Sequence, residues 1–90
     1  MAPHPETLRT ELLALFNQDL NLAVEHAETD LLEQGILDSL TFVELLFRLE
    51  QRYGVRADLE TLDTEKFRTV ARIAAFLEEE IRAGRARTAS

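Results

Sequence analysis

The sequence predicts an all-α protein, a small four-helix bundle of three main helices and one short one, and three observations carry that expectation. Apolar residues recur at three- and four-residue spacing in three separate stretches. Short polar residues and glycines stand where such helices have to begin and end. Nowhere is there a run of alternating, β-branched residues, so no sheet is expected. Ninety residues suffice for one hydrophobic core but not for a deep, walled active site. A single domain over residues 1–90 is expected, with its core at about 6–83 and flexible ends at 1–5 and 84–90.

Pro3 and Pro5 keep the first residues irregular, and Pro5 fits a helix start because its missing N–H costs nothing there. From Glu6 onward Leu8, Leu12, Leu15 and Phe16 form the stripe of a first helix of about three turns. Asn17, Asp19 and Asn21 weaken it, since short polar side chains compete for the backbone. The segment from Asn21 to Leu37 has no sustained periodicity, yet Leu22, Val24, Leu31, Leu32, Ile36 and Leu37 give it apolar anchors. A stretch this long is expected to pack across the end of the bundle or to carry function. Thr29 to Glu33 suggests a helical turn, and Gly35 supplies a conformation other residues avoid.

A second helix is expected to start at Asp38 or Ser39, with Asp38 as N-cap. Leu45, Leu46, Leu49 and Tyr53, with Phe42 beside them, make its inward stripe. Leu40, Val43 and Phe47 share a second side, which must lie under the loop or face a partner. Gly54 stops the helix. Val55 to Ala57 connects, Asp58 to Leu62 and Asp63 to Phe67 each suggest a short helix or turn, and Asp63 is a candidate cap. Thr69 opens a last helix in which Val70, Ile73, Phe76 or Leu77, and Ile81 repeat. Gly84 ends it.

The chain carries a formal charge of −7, which argues against nucleic acid or an anionic membrane as partner. No Lys or Arg occurs between Thr10 and Phe47, whereas eight acids do. That basic-free run spans Ser39 and favours docking to basic partners. The absence of Cys removes disulfides, thiolate metal sites and cysteine nucleophiles. No apolar run reaches membrane-span length and no signal peptide is visible, so a cytoplasmic protein without an integral membrane segment is expected, and a monomer.

Ser39 is the residue that invites chemistry. As a catalytic nucleophile it would need a base and a group orienting that base. His26 is the one nearby candidate, and Gly35-Ile36-Leu37-Asp38-Ser39-Leu40 lacks the small residues of a nucleophile elbow. Glu78, Glu79 and Glu80 point in different directions around a helix, as a solvated face does, rather than converging on a metal. The plain alternative is that Asp38-Ser39 is only a helix start. The Gly-containing loop before it and the two-faced helix after it favour a serine that another enzyme modifies.

Asp38-Ser39-Leu40, opening a helix with Val43-Glu44-Leu45 in a small acidic chain, resembles the acyl carrier protein superfamily. The resemblance runs from about Leu8 to Leu77. It implies that a phosphopantetheinyl transferase attaches 4′-phosphopantetheine from coenzyme A to Ser39, with Asp38 and Leu40 flanking. It implies that an acyl or aminoacyl group rides on the arm as a thioester. It further implies that Leu40, Val43 and Phe47, with acids at Asp38, Glu44 and Glu50, meet partner enzymes. Thr41 stands where fatty-acid carriers often have an acid, and Arg48 and Arg52 bring positive charge to the same helix. The Gly-x-Leu-Asp-Ser pattern after Asp30-Leu31-Leu32-Glu33 is more similar to D-alanyl and to stand-alone aminoacyl or peptidyl carriers. The expected partners are thus the transferase, an ATP-dependent acyl or amino-acid ligase, and downstream acyl or aminoacyl transferases or synthases. A fatty-acid or polyketide carrier is the nearest alternative. An unmodified acidic interaction module is the alternative from another class.

Overall fold

The computed structural model describes residues 5–57 and 63–84. Among these it contains three α-helices and a short 3-10 helix, and no strand. The first helix, α1, runs Pro5–Ala14 and continues as a wider π turn over Leu15–Asp19. Leu8, Leu12, Leu15 and Phe16 are fully buried, as the spacing predicts. The widening occurs where the short polar residues stand. The Asn17 amide donates to Leu13 O at 2.7 Å and to Val24 O at 2.9 Å, and its Oδ1 accepts from Val24 N. Asn17 thus staples the start of the long loop to the helix end, a local side-chain bond winning over the regular ladder. Asn21 then takes φ 56°, a left-handed conformation that Asn tolerates better than most residues.

The long loop is packed. Val24, Leu31 and Leu37 are buried, and Leu22, Leu32 and Ile36 lie against the core. It crosses the N-terminal end of the last helix, where Ala71 N donates to Ala27 O at 2.9 Å and Leu31 N donates to Arg68 O at 2.7 Å. Asp30 Oδ1 caps the expected turn by accepting from the N–H groups of Leu32 and Glu33. Gly35 follows at φ 69°.

The second helix, α2, is Ser39–Tyr53 and ends at Gly54 with φ 69°. Phe42, Leu45, Leu49 and Tyr53 face inward, with Leu46 partly covered. The 3-10 helix is Thr64–Phe67, with Asp63 accepting from Glu65 N. The third helix, α3, is Val70–Arg82, capped by Thr69 Oγ1 on the N–H of Arg72. Of the two residues predicted to compete for its inward face, Leu77 is buried and Phe76 is half-buried. The expected turn over Asp58 to Leu62, and most of both chain ends, lie outside the described residues.

Helix α1 packs on α3, and α2 is tied to α1 by the Tyr53 hydroxyl, which donates to Glu11 Oε1 at 2.7 Å. Phe67 is the hub between α2 and α3, its ring 5.3 Å from those of both Phe42 and Phe76. The core has no buried polar or charged residue among those described. No described helix is long and apolar enough to cross a membrane.

Candidate functional site

Leu37 is buried, Asp38 is extended at φ −97° and ψ −178°, and Ser39 is the first residue of α2. That sequence of states puts an exposed hydroxyl at a helix N-terminus anchored by the preceding leucine. Asp38, not Ser39, is the cap: its Oδ1 accepts from Thr41 N at 2.8 Å. That N–H, followed by the Thr41 hydroxyl, holds the Asp38 carboxyl below the ordinary aspartate range. The Ser39 hydroxyl is therefore free of the capping role that the sequence left open to it.

Among the described residues, no base hydrogen-bonds the Ser39 hydroxyl, and His26 is an exposed loop residue. No group of three or more His, Asp or Glu side chains that could hold a metal occurs among them either. What Ser39 does have beside it is an open cleft of about 570 Å³, lined by Leu32, Leu37, Asp38, Ser39, Phe42 and Thr64. Its first wall comes from the loop and its second from the 3-10 helix. Sequence reading missed Thr64 and the wall role of Leu32, because the two walls are brought together only by the tertiary fold.

Leu40, Val43 and Phe47 are 81%, 50% and 56% exposed, and they are the only large hydrophobics so exposed among the described residues. They form one row on α2 starting beside Ser39. Of the acids predicted to accompany them, Asp38 serves as the cap and the other two are already paired. Glu44 meets Arg48 at 3.8 Å and Glu50 meets Arg56 at 2.9 Å. Arg52, on the same helix, lies 3.8 Å from Asp19. Within Ser39–Tyr53 two acids and two arginines cancel, so the helix beside Ser39 is neutral on a chain of charge −7.

These residues suit a phosphopantetheine group. An exposed hydroxyl can become the ester oxygen, helix N–H groups and dipole accommodate the added anion, and an adjoining apolar cleft has room for an arm. A family profile described as "Phosphopantetheine attachment site" matches residues 10–77. The chain is similar to the D-alanyl carrier protein of Staphylococcus saprophyticus, 29% identical over 73 residues that cover 79% of this chain and 94% of that one. It is similar to the D-alanyl carrier protein of Streptococcus suis (strain 98HAH33), 32% identical over 76% of this chain and 82% of that one. The D-alanyl carrier protein of Streptococcus pyogenes serotype M5 is 32% identical over 72% and 78%.

Proposed function

We propose, for a chain that belongs to the phosphopantetheine-attachment family of carrier proteins, that Ser39 is the attachment residue and an amino acid the cargo. The family membership makes this a carrier rather than an enzyme, with 4′-phosphopantetheine covalently attached. When bound, that group supplies the thiol on which an acyl or aminoacyl group is held as a thioester. The protein's own part is placement. Asp38 fixes the first turn, Leu37 anchors it, and Ser39 stands exposed directly after them. The observation that carries the assignment is this exposed serine at a helix start, free of the cap and set in an Asp-Ser-Leu triplet.

Leu40, Val43 and Phe47 offer the surface on which a phosphopantetheinyl transferase and later partners sit, with Glu44 and Glu50 at its edge. The cargo reading draws on the relatives named D-alanyl carrier proteins. An ATP-dependent ligase would charge the arm with D-alanine or a related amino acid, in the cytoplasm, and an aminoacyl transferase or synthase would receive it.

Intact-protein mass spectrometry after incubation with coenzyme A and a broad-specificity transferase tests the attachment. A gain of one phosphopantetheine group, absent in Ser39→Ala, is expected; loading of Ser39→Ala overturns the assignment. Charging of the holo form by an amino-acid ligase supports the cargo. Charging only by a malonyl transferase makes the chain a fatty-acid or polyketide carrier instead.

A further inference from the structure

We propose that Arg68 is a positioning residue for the arm carried on Ser39: it joins the two walls of the neighbouring cleft and keeps them at the separation in which the arm lies. This rests on Ser39 as the attachment residue.

The first wall contains Leu32 and Leu37, and the turn leading into it is capped by Asp30. The opposite wall contains Thr64, one residue before Glu65. Arg68 grips both. Its Nη1 donates to Asp30 Oδ2 at 2.8 Å, while Nε and Nη2 donate to the two oxygens of Glu65 at 2.6 and 3.0 Å. Its backbone carbonyl accepts from Leu31 N at 2.7 Å, so side chain and main chain hold the same turn. The Arg68 and Asp30 side chains are only 33% and 26% exposed, which shields the pair from salt better than a fully solvated one. A planar guanidinium makes both grips at once, and an ammonium does not. Arg72 adds a bond to Glu65 O at 3.2 Å on the far side of that wall.

The occupant follows from the tether. Ser39 itself lines the cleft, so anything esterified to it begins at the mouth. Leu32, Leu37 and Phe42 suit the methylenes of the arm, and the Thr64 hydroxyl suits its amides. The cleft, at about 570 Å³, is within the usual range for a bound small molecule.

The experiment compares amide ¹H–¹⁵N spectra of the apo and phosphopantetheinylated forms of the native chain, Arg68→Gln, Arg68→Lys and Asp30→Asn. In the native chain, loading is expected to shift Leu32, Leu37, Phe42 and Thr64. In Arg68→Gln those shifts are expected to vanish, although the mass gain persists and the amides of α1 and α3 stay where they were. Asp30→Asn keeps the oxygen that caps the turn and puts an amide donor where the oxygen accepting from Arg68 stood, so it gives the same result should Arg68→Gln fail to fold. Arg68→Lys, retaining charge without the fork, is expected to restore part of the shifts. Undiminished shifts in the folded Arg68→Gln or Asp30→Asn chain, or shifts in the native chain confined to residues outside the cleft, overturn the proposal. Absence of a mass gain in the native chain overturns the Ser39 assignment itself, and the proposal with it.

Discussion

Replacing Leu40 or Phe47 by serine, against Glu44→Gln and Glu50→Gln, decides which part of the α2 surface a partner reads. Fully burying a large apolar side chain contributes about 1.5–3 kcal/mol. Leu40 is 81% exposed and Phe47 56% exposed in the free protein, so that much remains to be buried on docking. Scaling gives about 1.2–2.4 kcal/mol for Leu40 and about 0.8–1.7 kcal/mol for Phe47, or losses of about 8- to 60-fold and about 4- to 18-fold in kcat/KM. The acids have less to give. Each is already beside an arginine, and exposed pairs contribute about 0–1 kcal/mol. The assay is transferase loading from coenzyme A, repeated between about 0.1 and 1 M salt, over which the screening length shrinks from ~10 to ~3 Å. The serine variants should lose most activity at every salt concentration, and the native rate should vary little. A steep fall of the native rate with salt, matched by losses in the glutamine variants as large as in the serine ones, would refute the reasoning and restore docking to a basic partner face.

Ser39→Ala should leave the thermal midpoint unchanged while abolishing the mass gain, because the cap belongs to Asp38; calorimetry beside mass spectrometry checks both. Thr69→Ala removes the acceptor for Arg72 N and should cost about 0.5–2 kcal/mol, which at ~4–8 °C per kcal/mol for a domain of this size is readily measured, with loading retained. The carboxyls of Asp30 and Glu65 are held below their ordinary values of 3.8 and 4.5, Asp30 first by the N–H of Glu33 and then by Arg68, Glu65 first by Arg68. Their stabilisation is complete above those ordinary values and disappears as pH falls through the lowered ones. The denaturation midpoint should therefore be flat near neutrality and drop in acid, less so in Arg68→Gln. Burial and the bond to Glu11 push the Tyr53 phenol up from 10.0, so its contribution is present below pH 10 and lost above it. Tyr53→Phe should remove that alkaline decline.

The helices and their caps were legible because each depends on residues close in sequence. Asp38, Asp63 and Thr69 cap as short polar residues before periodic runs do, and Gly54 ends α2 with the left-handed φ that such a stop favours. Ser39 was legible as a candidate site for the same reason, since triplet, loop and two-faced helix are contiguous. The cleft was not. Its walls come from residues 32 and 64, and the pair that joins them, Asp30 and Arg68, is separated by 38 residues. Charge alone does not choose among so many possible partners. Asn17 was readable as something that weakens a helix, but its role as a staple to Val24 needed the path of the loop. The charge balance of α2, by contrast, was only partly legible. Composition counts Glu44 and Glu50 and cannot see the arginines folded against them.

The placement of Ser39 is a property of the loop as much as of its own helix. Ordering a stretch as long as residues 21–37 costs conformational entropy at every residue, and no ladder of backbone bonds offsets it. The offset comes instead from a series of separate fastenings: Asn17 on Val24, Ala27 on Ala71, Leu31 buried and bonded to Arg68 O, Asp30 on Arg68, and Leu37 buried. Together they run from residue 24 to residue 37, and α2 begins as soon as they end. That loop leads directly into the first turn of α2. Here it is held through contacts with α3 and the 3-10 helix, the elements that also supply the far wall of the cleft. A carrier performs no chemistry of its own, so what its sequence can tune, on the proposed attachment at Ser39, is how that serine and its arm are presented. In this chain the tuning residues are therefore to be sought in the loop fastenings, well outside the Asp-Ser-Leu triplet.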